Sequence, residues 1–166
     1  LQVESASPAK VRIRKNCALL VRDGKVFKVI PNTGIRAADY ARVIDLQERS
    51  VIPGLVDCHT HLIYAGQRKG EMTQRISGMS YMDILKQGGG ILNTVQATRE
   101  ATEDSLYDSA LQRMRRMLAL GTTAFEIKSG YGLDLETEKK MLRVGQRLRQ
   151  ALKVPVTLTY LGAHAV

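Results

Sequence analysis

The chain has 166 residues, 44% hydrophobic and 25% charged, which is enough for one ordinary domain with a core and too apolar for a disordered segment. No apolar run reaches the roughly 18 residues needed to span a bilayer, so no membrane association is expected, and the polar, basic residues 1–16 are not expected to act as a secretory signal. The formal charge of +9 invites a nucleic-acid reading, but Arg113, Arg115, Arg116, Lys139, Lys140, Arg143, Arg147 and Arg149 fall on two predicted helices with apolar opposite faces. With no tryptophan and two phenylalanines to stack on bases, these basic residues read as solvated helix faces, and no nucleic-acid partner is expected.

Cys17 and Cys58 lie far apart and read as reduced thiols of a cytoplasmic protein. Residues 17–22 and 25–30 are β-prone runs around Asp23-Gly24, a hairpin signal of the I′ type. Residues 43–56 add short apolar runs around a polar turn at 47–50, so the first third reads as all-β. The apolar run 51–56 then leads directly into His59-Thr60-His61. Residues two apart in a strand share a face, so this pair would present both imidazoles to one point, as chelation of a metal requires. Imidazole suits zinc, iron, nickel or copper. In a strand, Cys58 would point away from the pair and is not counted as a ligand.

Beyond residue 51 the pattern becomes strand, loop, helix. Residues 80–82 begin a helix, and the 88–90 glycine run reads as a flexible loop, since no Gly-Lys-Ser/Thr follows it as a phosphate cradle would need. A helix over 103–120 carries Leu106, Ala110, Met114, Met117 and Leu118 on one stripe, with Thr102 as cap and Gly121 as stop. A strand over 122–129 and a Gly-Tyr-Gly loop follow. A second helix over 135–153 starts at Asp134 and carries Met141, Val144, Leu148 and Leu152; Pro155 ends it before a strand at 156–161. Alternation of this kind predicts an α/β fold with a parallel sheet. His59-Thr60-His61, 128–131 and 162–164 all fall at the C-terminal ends of predicted strands, the face on which (β/α) barrels carry their active sites.

The chain has three histidines, and a catalytic zinc site normally has about three protein ligands plus an open position. Either His164 closes the site or further ligands lie beyond residue 166. With no methionine at residue 1, the chain reads as a piece of a longer enzyme.

Four stretches carry a resemblance: 51–68 with His59-Thr-His61-Leu-Ile-Tyr-Ala-Gly-Gln-Arg68, Gly88-Gly-Gly-Ile91, Lys128-Ser-Gly-Tyr-Gly-Leu-Asp134, and Leu161-Gly-Ala-His164-Ala. From about residue 18 to 166 the chain resembles the imidazolonepropionase family of the amidohydrolase superfamily. The resemblance implies the first part of a (β/α)₈ TIM-type barrel over 51–166, preceded over 1–50 by strands of a small β-sandwich. It also implies one zinc or iron ion, and a homodimer at full length. The family's metal ligands map onto His59 and His61, and its substrate positions onto Arg68, Tyr81, Tyr131 and His164. Its remaining ligands and its proton-transfer groups map onto no residue here, so no catalytic residue is assigned and residues 1–166 alone are expected to be inactive. Gln67 departs from the acidic residue that usually precedes the family's arginine.

The implied reaction is hydrolysis of the cyclic amide 4-imidazolone-5-propanoate to N-formimino-L-glutamate in histidine degradation. Arginine suits the propionate, because its fork grips a carboxylate with two parallel hydrogen bonds. Without the resemblance Arg68 would read as a surface residue, Tyr81 as helix packing, and Lys128 as a candidate bridging lysine for two metals. The alternatives are another amidohydrolase, such as a nucleobase deaminase, and a non-catalytic basic binding fragment.

Overall fold

A computed structural model of the protein describes residues 2–4 and 10–165. The chain divides into two compact units, Leu1–Pro53 and Gly54–Val166.

The first unit holds two antiparallel ribbons, β1 (Gln2–Glu4) with β2 (Lys10–Arg12) and β3 (Cys17–Arg22) with β4 (Lys25–Pro31). The expected hairpin forms, and Asp23 and Gly24 adopt φ of 50° and 71°, the positive values that a I′ turn needs. The all-β reading fails further on. After β4 come only a short 3₁₀ turn at Ala37–Asp39 and irregular chain, and residues 43–54 form no strand. Val43, Ile44, Val51 and Ile52 are β-prone yet exposed. Such propensity reports fit to a half-buried pleated surface, and no ladder forms beside this segment among the described residues.

The second unit is α/β, as expected. Its sheet runs β5 (Leu55–Thr60), β6 (Thr122–Lys128), β7 (Val156–Thr159), in that order and all parallel. β5 therefore starts later than its apolar run. Pro53 has no N–H to give a ladder, and pairing begins where the Leu55 N–H donates to the Gly121 carbonyl at 3.0 Å. His59 consequently lies inside the strand and His61 just beyond it.

Two long helices return the chain between strands. α4 (Glu103–Ala119) is capped by Thr102, whose hydroxyl accepts from the Ser105 N–H. α5 (Leu135–Leu152) is capped in the same way by Asp134 on Thr137 N–H and ends at Lys153 in the left-handed region. Leu106, Ala110 and Met114 from α4 meet Met141, Val144 and Leu148 from α5 and Phe125 and Ile127 from β6, all buried. Burying each of the larger side chains contributes about 1.5–3 kcal/mol. Phe125 and Ile127 take one face of β6, so Glu126 and Lys128 take the other.

Between β5 and α4 lie three shorter helices: α1 (Lys69–Ile76), α2 (Tyr81–Lys86) and α3 (Ile91–Glu100). The helix start at residues 80–82 is met, while α1 and α3 are additions to the sequence reading. The glycine run expected as a flexible loop closes α2 and opens α3, and the Gly90 N–H donates to the Glu71 carboxylate at 2.7 Å. Thr98 of α3 is buried; its hydroxyl donates to the Thr94 carbonyl and accepts from the Ala65 N–H, which ties α3 to the chain leaving β5.

Candidate active site

The C-terminal edge of the parallel sheet gathers four rings, those of His59, His61, Tyr131 and His164, with a fifth, Tyr64, at the margin. His61, just past β5, lies at the centre, with centroids 5.4 Å from His59, 5.2 Å from Tyr131 and 4.2 Å from His164. Tyr131 also meets His164 at 5.6 Å and the edge of Tyr64 at 5.9 Å. Arg113 of α4 steadies this edge from behind. Its guanidinium donates to the Leu62 and Tyr64 carbonyls and lies 3.8 Å from the Tyr64 ring centroid.

His61 has both ring nitrogens buried with no hydrogen-bond partner among the described residues. Burial, assisted by the His164 and His59 rings, lowers its pKa, so the imidazole is neutral near pH 7; the Ser129 backbone opposes this from outside hydrogen-bonding geometry. An orphaned neutral imidazole is costly in a folded protein and suits a metal ligand. The angles point the same way. The His59 and His61 rings lie 5.4 Å apart and inclined at 58°, so they are not stacked and leave room for an ion between them. His61 and His164 are within 17° of parallel, and an ion lying in one ring plane would fall outside the other. His164 therefore stacks on His61 rather than lying in its plane as a further ligand would. Among the described residues no group of three His, Cys, Asp or Glu side chains is arranged to hold a metal.

Nδ1 of His164 lies 3.0 Å from the Gly130 carbonyl. A carbonyl only accepts, so Nδ1 carries the hydrogen in this contact, and Nε2 lies outside it. Gly130 has φ of 123°, and a Cβ there would lie 2.8 Å from the Cβ of His164, so this approach requires glycine. On the polar face of β6, Lys128 and the Thr159 hydroxyl hydrogen-bond Glu126 and hold its carboxyl below the usual carboxylate range, with His59 near enough to add to the effect. Lys128 is thus engaged by Glu126.

The remaining two sequence candidates stand apart. Arg68 is exposed at the start of α1, 3.9 Å from the Glu71 carboxylate, and Tyr81 is exposed at the start of α2. Neither makes a hydrogen bond or ring contact with the four-ring cluster. Tyr64 and Arg113 were missed in the sequence. Tyr64 carried a weak signal, three residues beyond His61, whereas Arg113 looked like any basic residue on a helix face. Cys58 is exposed and free, as is Cys17.

No protein-family model matches the chain. Over 150 residues it is 50% identical to an imidazolonepropionase of Salmonella arizonae, covering 90% of this chain and 37% of that protein. An imidazolonepropionase of Paraburkholderia phymatum is 58% identical over 122 residues, 74% of this chain and 30% of that protein. One of Pseudomonas savastanoi pv. phaseolicola is 45% identical over 164 residues, 99% of this chain and 41% of that protein. The chain is thus similar to imidazolonepropionases over most of its own length. It spans well under half the length of these relatives. Among the described residues no helix is long and apolar enough to cross a membrane.

Proposed function

We propose that this chain supplies the first metal ligands and part of the substrate wall for hydrolysis of the cyclic amide 4-imidazolone-5-propanoate to N-formimino-L-glutamate. The observation that carries the reading is the convergence of His61, Tyr131 and His164 from three separate strand ends, in a chain 45–58% identical to imidazolonepropionases. His59 and His61 would hold one zinc or iron ion, which when bound supplies Lewis acidity and lowers the pKa of a coordinated water toward about 7. Nε2 of His164 is suited to accept a hydrogen bond from a ring N–H, and the Tyr131 phenol to donate to the ring carbonyl oxygen as charge develops there. Arg68 is suited to grip the propionate, and its loose 3.9 Å pairing with Glu71 leaves donors of its fork for a ligand. Tyr81 would border the same anion from α2. The further ligands and the proton-transfer groups have no counterpart here.

The three parallel strands, with helices returning the chain between them, support the opening of a (β/α)₈ barrel, and the ribbons of the first unit support part of a small β-sandwich. A cytoplasmic homodimer completes the proposal. Two ion pairs between α4 and α5, Arg143 with Glu103 and Arg147 with Asp104, support reading those arginines as solvated helix faces.

The test is ring opening of imidazolone propionate by the metal-loaded full-length protein, set against a panel of nucleobases and other lactams. Turnover of the imidazolone with formation of formiminoglutamate is expected. Turnover of a base alone would transfer the site to a deaminase.

A further inference from the structure

Glu138 is fully buried on α5, yet it takes no part in the reaction outlined above. One turn into the helix, its side chain turns back. Oε1 accepts from the Gly132 N–H at 2.7 Å and the Leu133 N–H at 2.9 Å. These amides belong to the two residues before the cap Asp134, and helix capping by Asp134 and Thr137 does not engage them. Leu133 is held at φ of 54°, a left-handed conformation that a leucine adopts only when its surroundings enforce it. From the opposite side, Arg99 of α3 donates to the Gly132 carbonyl at 2.8 Å and pairs with Asp134 at 3.0 Å. Gly132 is thus gripped at its N–H by one helix and at its carbonyl by another. Its neighbour is Tyr131, whose ring meets both His61 and His164.

We propose that Glu138 is a positioning residue that, with Arg99, fixes the 130–134 loop and so sets Tyr131 against the two histidines. The inference rests on the functional reading for its consequence and on loop geometry for its mechanism. A buried carboxylate collecting two adjacent backbone N–H groups holds them more strongly than a neutral acceptor would. Losing it leaves both amides unsatisfied in a site that water does not readily reach. Thr137 and the Glu138 backbone nitrogen crowd the space where a Cβ on Gly132 would go, so the close approach of this loop to α5 requires glycine.

The experiment reads the loop directly, by amide hydrogen exchange in the protein as it occurs in the cell, and reads turnover in parallel. Glu138→Ala should speed exchange at Gly132 and Leu133 by roughly tenfold or more relative to Ile127 in β6. Glu138→Gln keeps an oxygen able to accept both N–H groups but without the charge, so its exchange should lie between the parent and Glu138→Ala. If Glu138→Ala does not fold, Arg99→Ala serves instead, because Arg99 is partly exposed and its removal frees the same peptide from the other side. The loosened variants should show raised KM and lowered kcat for the cyclic amide, with bound metal unchanged. Unchanged exchange at Gly132 and Leu133 in the folded Ala variants would overturn the proposal. So would loosened exchange with parental kinetics in a protein that opens the imidazolone ring. If the parent opens no cyclic amide, the functional reading fails, and exchange still decides the role of Glu138 as a clamp.

Discussion

The rings of His61 and His164 stack at 4.2 Å, within 17° of parallel, although one follows the first strand of the parallel sheet and the other the third. On the proposed reading, His59 and His61 would share an ion, while His164, stacked on His61 and held by the Gly130 carbonyl, would face the substrate.

That division makes the first prediction. Replacing His59 or His61 with alanine should lower metal affinity by more than the roughly 10–100-fold that loss of an outer partner costs. His164→Asn should leave metal content at the parental level and lower turnover by roughly a hundredfold or more, as loss of a substrate-facing polar group does. Elemental analysis of the purified proteins beside a ring-opening assay checks both halves. Metal lost from His164→Asn would make His164 a ligand and undo the geometric argument.

Gly130→Ala is the second. The added methyl meets the Cβ, Cγ and Nδ1 of His164 at 2.8–3.0 Å, in a backbone conformation with φ of 123°. The strain should cost about 1–3 kcal/mol. It should also displace His164, so the imidazole nitrogen shifts in a ¹⁵N spectrum would no longer report the Nδ1 hydrogen bond. A variant with parental stability and an unmoved His164 spectrum would show that the carbonyl contact is not fixed as described.

Arg113→Lys is the third. The guanidinium donates from Nη1 to two carbonyls at 3.1 Å each and sets its central carbon 3.8 Å from the Tyr64 ring centroid. A lysine ammonium could donate to both carbonyls from one nitrogen but has no planar group to set over the ring, so the exchange should cost about 0.5–1 kcal/mol despite keeping the charge. Urea denaturation measures it, and a loss below a few tenths of a kcal/mol would place Tyr64 under other control.

Features that depend on local chemistry were legible in the sequence. Thr102 and Asp134 cap the helices they precede, and the apolar stripes of α4 and α5 are the faces that are buried. The gathering of His61, Tyr131 and His164 was legible too, because a parallel α/β arrangement brings all strand C-termini to one edge. What escaped depends on distant partners. β5 begins where Gly121 offers its carbonyl, so the apolar run at 51–54 misleads. α1 buries no residue, and α3 buries Thr94 and Thr98 beside Val95, so neither shows a clean apolar period. Glu138 looked like one more charge on a basic helix until the preceding loop folded back onto it.

Asp134 supplies a prediction with a pH signature. One carboxylate oxygen accepts from the Thr137 N–H at 2.8 Å, which chiefly holds its pKa below the usual aspartate value, and Arg99 adds to this from 3.0 Å. Because the folded pKa is the lower one, the unfolded chain binds more protons between the two values. The contribution is complete above the unfolded pKa of about 3.9 and is lost as pH falls through the folded one. Asp134→Ala removes cap and charge together and should cost about 1 kcal/mol at neutral pH. Asn caps nearly as well without titrating, so Asp134→Asn should lose less at neutral pH. Its stability should then converge on the parent's as pH drops from about 5 toward 2. Urea midpoints across that range decide the matter: a gap between parent and Asp134→Asn that ignores pH would mean the carboxylate charge adds nothing to the cap.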